Sequence, residues 1–375
     1  MPKVVVLGPY HPAFLEPEVY EVTVEADKII DMHIEQGYTH RGIEKLATTK
    51  TYRQGVFLCE RICGLCSHAH SCCYCQAAEK IFEVEPPRRA RYIRSIVFEL
   101  ERLQSHYIWL ALLFHSLHDE KQFAKLMNAR EPLMDLIELV CGNRVHYSIN
   151  AIGGVRRDLT PIAIERTKHI LNDLEKLSDE VLAAIRNHAS RLSNIGVLPK
   201  EKATAAGVVG PVLRASAIAR DIRKDDPYAA YDDVDFDIKV EDSCDVLGRA
   251  LVRAKETYES IKIIRQLFDR LPKGELLADV GKPREGEGTS RVEAPRGELI
   301  YYIRSNGTNI PQRVKLRPPT YMNDHAVVEM LQGEKLENLL LVLESLDRCI
   351  SCTNRVSIID AHTGKKRIAK LSDIG

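Results

Sequence analysis

Apolar and polar residues alternate over the first fifty positions, in "KVVVLG" (3–8) and again in "VYEVTVEADKIIDMHIEQG" (19–37). A period of two puts every second side chain on one face, so these stretches predict β-strands, with Ala26-Asp27-Lys28 as the turn between two of them. From about Thr51 to Leu198 the apolar spacing changes to three and four. "RRARYIRSIVFELERLQSHYIWLALLFHSLH" (88–118), "MDLIELVCGNRV" (134–145) and "LTPIAIERTKHILNDLEKLSDEVLAAIRNHASRL" (159–192) are too long and too apolar on one face to be isolated surface helices. They predict a helical bundle. The Gly, Pro and paired acids of 207–237 predict an irregular excursion before the helix "CDVLGRALVRAKETYESIKIIRQLFDRL" (244–271). A Gly-, Pro- and Glu-rich stretch follows (272–298), then "LIYYIRSNG" with strand character and "NLLLVLESLDRCISC" with helical character, ending on cysteines.

The expected fold class is therefore α+β, mainly α. A central bundle of long helices (51–271) is flanked by a small N-terminal β-sheet (1–50) and a C-terminal α+β region (272–375), all forming one functional unit. A chain of 375 residues buries a generous core without disulfides. No N-terminal segment resembles a signal peptide, and the longest apolar runs, such as "IWLALLF" (108–114), fall far short of the roughly eighteen residues of a membrane span. The chain reads as soluble and cytosolic.

Lys plus Arg equals Asp plus Glu at 53 each, so no overall basic field recommends nucleic acid. Short basic stretches at 86–94 and 364–370 read as solvated faces or subunit contacts.

The ten cysteines change the picture. Six fall between Cys59 and Cys75, and two C-x-x-C pairs stand out: Cys63 with Cys66, and Cys349 with Cys352. In a reducing compartment clustered thiols serve as metal ligands or redox groups rather than bridges. Zinc ribbons place their pairs roughly fifteen to twenty residues apart, whereas 282 residues lie between Cys66 and Cys349. A thioredoxin-like pair needs only one motif and a βαβ setting that the pattern lacks. Spacing alone leaves three readings open: a four-thiolate metal site, structural zinc, or unrelated thiols. If the two pairs converge, the site lies where both ends of the chain meet.

"RICGLCSHAH" (61–70) resembles the Arg-x-Cys-Gly-x-Cys motif of [NiFe]-hydrogenase large subunits, and "DRCISC" (347–352) resembles their Asp-Pro-Cys-x-x-Cys motif. "GPYHPAFLEP" (8–17), "GYTHRGIEK" (37–45), "GNRVHYSINAIGGVRRD" (142–158), "GEGTSRVEAPRGELIYYIRSNG" (286–307) and "KLRPPTYMN" (315–323) are similar to the membrane-bound, energy-converting members of that family and to the homologous 49 kDa-type subunit of respiratory complex I. The complex I relatives lack the four metal-binding cysteines, and this chain keeps all four.

The resemblance implies a nickel held by four thiolates, with Cys63 and Cys349 terminal and Cys66 and Cys352 bridging to an iron that carries cyanide and carbon monoxide. It implies that Cys349 acts as the base, that Glu16 receives the proton, that Arg296 lies over the open metal face paired with Asp347, and that His70 hydrogen-bonds a bridging sulfur. His40, Arg41 and Glu44 match a charged stretch near neighbouring subunits. The implied partners are a small subunit with a proximal [4Fe-4S] cluster, antiporter-like membrane subunits and a ferredoxin-type electron carrier, on the cytoplasmic face of the cell membrane. The reading from another class is a complex I-like scaffold that reduces a quinone or sulfur substrate without a NiFe site. Two departures stand out: Arg348 replaces the family's usual Pro, and Arg355 stands where uptake hydrogenases carry His. Cys59, Cys72, Cys73 and Cys75 exceed the metal's needs and read as small buried hydrophobes.

Overall fold

The computed structural model describes residues 2–10, 16–352, 357–359 and 366–368, the last two stretches in backbone only. Arg355 and most of the tail lie outside them.

The alternating N-terminal stretches form an antiparallel sheet in the order β1 (Lys3–Leu7), β2 (Val19–Glu25), β3 (Lys28–Glu35). Ala26 takes the turn in the left-handed region at φ 58°. The inward face of this sheet, with Tyr20, Val22, Ile29 and Met32, packs on Val212 from mid-chain and on Leu331 and Leu343 from near its C-terminal end.

Six longer helices follow. α1 (Tyr52–Glu60) opens on a capping box between Thr51 and Gln54. α2 (Ser67–Phe82) begins immediately after Cys66. α3 (Arg88–Ser116) is buried on almost every side from Tyr92 to Phe114, as a helix at the centre of a bundle must be. Around it pack α4 (Glu120–Cys141), α5 (Pro161–Asn187) and α6 (Val246–Asp269), whose N-termini are capped by Asp119, Thr160 and Asp245.

The boundaries differ from the sequence pattern where local chemistry intervenes. α4 stops at Cys141 because Gly142 adopts φ 88°, which excludes "GNRV" from the helix. α5 stops at Asn187, and Ala189–Leu192 is a separate turn. A two-residue hairpin, Asn150–Ala151 with Gly154–Val155, interrupts the predicted helical region. The 207–237 excursion contains short helices at Gly210–Arg214 and Ile222–Asp225.

A second antiparallel sheet contains β4 (Glu285–Ala294), β5 (Gly297–Asn306) and β6 (Arg313–Arg317). The pattern gave strand character to β5, whereas β4 falls in the stretch 272–298 that it marked only as rich in Gly, Pro and Glu. Gly288 has a packing reason to be there: a Cβ would stand 2.0 Å from the Ala77 carbonyl oxygen, so only glycine lets β4 lie directly on α2. The chain then reaches α7 (Leu339–Ser345) and the second cysteine pair. Among the described residues no helix is long and apolar enough to cross a membrane.

Candidate metal centre

Cys63 and Cys66 lie in the bend between α1 and α2, with Cys66 at the N-cap of α2. Cys349 and Cys352 lie in the turn after α7, entered through Asp347, whose φ of 54° reverses the chain. Folding brings the two pairs together. All four sulfurs are buried and lie within 4.8 Å of one another. Cys349 Sγ is 3.2 Å from Cys63 Sγ and 3.1 Å from Cys352 Sγ, and Cys66 Sγ is 3.9 Å from Cys352 Sγ. Two sulfurs tetrahedrally bound to one ion at about 2.3 Å would stand about 3.7 Å apart. The three separations bracket that value, and the all-sulfur donor set suits a thiophilic transition metal rather than magnesium or calcium.

The four thiols shift one another. Hydrogen bonding from Cys349, Cys352 and Cys66 holds Cys63 well below the ordinary thiol range. Interaction with Cys349 pushes Cys66 and Cys352 well above it. Four thiolates this close in a buried site need a cation between them to be deprotonated together.

The residues singled out beside the cysteines gather around them. His70, on the first turn of α2, places Nε2 3.5 Å from Cys352 Sγ and Nδ1 2.8 Å from the Tyr301 hydroxyl. Burial lowers its pKa to about 4, so the imidazole is neutral at pH 7. Arg296 occupies the two-residue tip of the β4–β5 hairpin, where Gly210 and Gly297 allow a close backbone approach: a Cβ on Gly210 would meet the Arg296 carbonyl oxygen at 2.3 Å. The buried Arg296 guanidinium donates to Asp347 Oδ1 at 2.6 Å, to the Asp347 carbonyl at 2.8 Å and to Ser105 Oγ at 3.1 Å. Burial works against its charge, but Asp347 and the cysteine sulfurs outweigh burial and raise its pKa. Glu16 is half-buried and accepts hydrogen bonds from the Ser351 N–H at 2.8 Å and from the Ser351 hydroxyl.

Several supporting residues were not legible as such in the sequence. Arg41 donates to the carbonyls of Arg61 (2.8 Å), Ile62 (2.7 Å) and Ser351 (3.1 Å), tying the loop before Cys63 to the loop before Cys352. Glu44 accepts from Lys315 Nζ at 2.7 Å and from the Leu316 N–H at 3.1 Å. The Cys349 N–H donates to Thr320 Oγ1 at 3.0 Å. Glu101 accepts from the His68 and Ala69 N–H groups at 2.6 and 2.9 Å, satisfying the free donors at the start of α2 beside Cys66. Arg348 is buried against Glu18 (2.7 Å), Asp324 (2.5 Å) and the Tyr20 hydroxyl, so its charge anchors the second cysteine turn to the N-terminal sheet. Cys59, Cys72, Cys73 and Cys75 are all buried, and burial pushes the first two up to about 12.

Comparison with known proteins bears on this site. A family model described as nickel-dependent hydrogenase matches residues 41–119, and one for the 49 kDa subunit of respiratory-chain NADH dehydrogenase matches residues 121–283 and 276–355. A carbon monoxide-induced hydrogenase of Rhodospirillum rubrum is 40% identical over 357 residues, covering 93% of this chain and 98% of that protein. The chain belongs to this family of hydrogenase large subunits and complex I 49 kDa-type subunits. Another relative in the family, the membrane-bound hydrogenase subunit alpha of Pyrococcus furiosus, is 36% identical and covers 98% of this chain and 90% of its own. A solved family structure, from the membrane-bound sulfane sulfur reductase, an archaeal respiratory membrane complex, superposes with a TM-score of 0.90 at 30% identity, over 94% of this chain and 98% of that one. Family members are thus oxidoreductase subunits of multisubunit membrane complexes.

Proposed function

We propose that this chain is the catalytic large subunit of an energy-converting [NiFe]-hydrogenase, carrying out 2H⁺ + 2e⁻ ⇌ H₂ with ferredoxin-type electron exchange coupled to ion translocation. The observation that carries the reading is the convergence of Cys63, Cys66, Cys349 and Cys352 into one buried four-sulfur set beside the Arg296–Asp347 pair. Cys63 and Cys349 would be the terminal nickel ligands, and Cys66 and Cys352 the ligands shared with iron. Bound there, the NiFe(CN)₂CO centre supplies the site for heterolytic H₂ chemistry.

The chain's own groups do the rest. The Cys349 sulfur accepts the proton, and Glu16, held on Ser351 between Ile350 and Cys352, passes it outward. Arg296 is fixed by three hydrogen bonds and sets a positive charge beside the sulfurs, while Asp347 holds it in place. His70 orients one bridging sulfur. The regions 1–50, 51–271 and 272–375 act as one functional unit.

The cysteines outside the four-sulfur set show no cluster-binding pattern, so electrons leave through a [4Fe-4S] cluster in a small partner subunit. Antiporter-like membrane subunits would place the chain peripherally on the cytoplasmic face of the membrane. The sulfur-reductase neighbour supports a second reading, a sulfur- or quinone-reducing scaffold subunit without a NiFe site.

Metal analysis and infrared spectroscopy of the native complex separate the two. Stoichiometric nickel and iron with CO and CN stretching bands are expected. Zinc alone, or no diatomic bands in a matured preparation that reduces polysulfide, would sink the hydrogenase reading.

A further inference from the structure

The inward face of β5 carries Tyr301 in the position that meets His70. Strand alternation buries Leu299, Tyr301 and Ile303 together, and the Tyr301 ring stands edge-on to both His70 (centroids 5.9 Å apart) and Tyr74 (6.1 Å). The Tyr301 hydroxyl lies 2.8 Å from His70 Nδ1, while His70 Nε2 lies 3.5 Å from Cys352 Sγ. Tyr301, His70 and Cys352 are buried and form one file ending in the sulfur set.

We propose that Tyr301 is a positioning residue that fixes the His70 tautomer, so that the imidazole always donates to the Cys352 sulfur. The inference rests on the reading of Cys352 as a metal-bound thiolate. Such a sulfur carries no proton and can only accept. His70 must then present Nε2–H, which leaves Nδ1 as an acceptor and requires the Tyr301 hydroxyl to donate to it. Every donor and acceptor in the file then points the same way. Hydrogen bonds to a metal-bound sulfur withdraw electron density from it, so the file tunes the centre rather than merely packing against it.

Two measurements test this on the full chain and the native complex. In the zinc-loaded chain with ¹⁵N-labelled histidine, His70 being assigned by its absence in H70Q, the parent should show the Nε2–H tautomer with Nδ1 accepting. Tyr301→Phe should lose that acceptor shift and mix the tautomers, while keeping the ring packing. In the native complex the CO and CN bands of Tyr301→Phe should move to lower wavenumber. An Nδ1–H tautomer in the parent, or an unchanged His70 signal in Tyr301→Phe, overturns the proposal, as do unmoved bands. If the parent complex has no bands the hydrogenase reading fails separately, and the tautomer measurement still decides the role of Tyr301.

Discussion

Removing the Asp347 carboxylate should cost more than any single cysteine-loop hydrogen bond. The Arg296 and Asp347 side chains are 3% and 6% exposed and 2.6 Å apart. Asp347 Oδ2 also faces a second buried cation, Arg253 Nε, at 3.9 Å, and Arg253 lies over the Trp109 ring with Arg249 one turn away on α6. Asp347→Ala would leave Arg296 buried and unpaired, with Arg253 losing its nearest carboxylate. Breaking a buried pair from one side costs about 3–5 kcal/mol. With an unfolding entropy of about 2.1 cal/mol/K per residue, a chain of this length has about 0.8 kcal/mol/K, so the melting temperature should fall by about 4–6 °C. Asp347→Asn keeps an acceptor and should lose less. The assay is thermal unfolding of the metal-free chain for Asp347→Ala, Arg296→Met and the double variant. The double variant should be more stable than Asp347→Ala, because it no longer buries the Arg296 charge alone. A coupling energy below about 0.5 kcal/mol, or a melting temperature within a degree of the parent for Asp347→Ala, would refute the reasoning.

Three further outcomes follow from the same geometry. Arg348→Pro restores the family's usual residue but strands Glu18 and Asp324, and should destabilise the chain by about 3–5 kcal/mol in denaturant unfolding; an equally stable variant would show that the charge anchors nothing. Gly288→Ala should cost about 1–3 kcal/mol, because the new methyl meets the Ala77 carbonyl and β4 must lift off α2; an unchanged denaturation midpoint would count against that close approach. Burial raises the Glu344 pKa from 4.5 to about 7 against the opposing Ser116 hydroxyl, so the folded state binds more protons than the unfolded one in that interval. Stability should therefore fall as pH rises from about 4.5 to 7, by at most about 3 kcal/mol, and Glu344→Gln should flatten that slope; an identical pH profile for the variant would show that Glu344 ionises freely.

What the chain order alone determined was local. Period-two and helical spacing are set by neighbours within a turn or two, so the N-terminal strands, the long bundle helices and the Cys63–Cys66 and Cys349–Cys352 pairs were legible directly. The resemblance to hydrogenase large subunits added Arg296, Asp347, His70 and Glu16, and tertiary structure gathers all four around the cysteine turns. β4 was hidden because its Gly288 answers to a helix surface far away in sequence rather than to strand propensity. Arg41, Thr320 and Tyr301 lie in stretches the resemblance marked, but their contacts were not legible: an arginine reaching the carbonyls of Arg61, Ile62 and Ser351 looks like any other arginine until those loops meet. Bringing together two pairs with 282 residues between them closes a loop whose entropy no single contact offsets. The collective burial of the three core clusters closes it, so the four-sulfur set, the buried Arg296–Asp347 pair and the Arg41 clamp belong to the folded molecule as a whole.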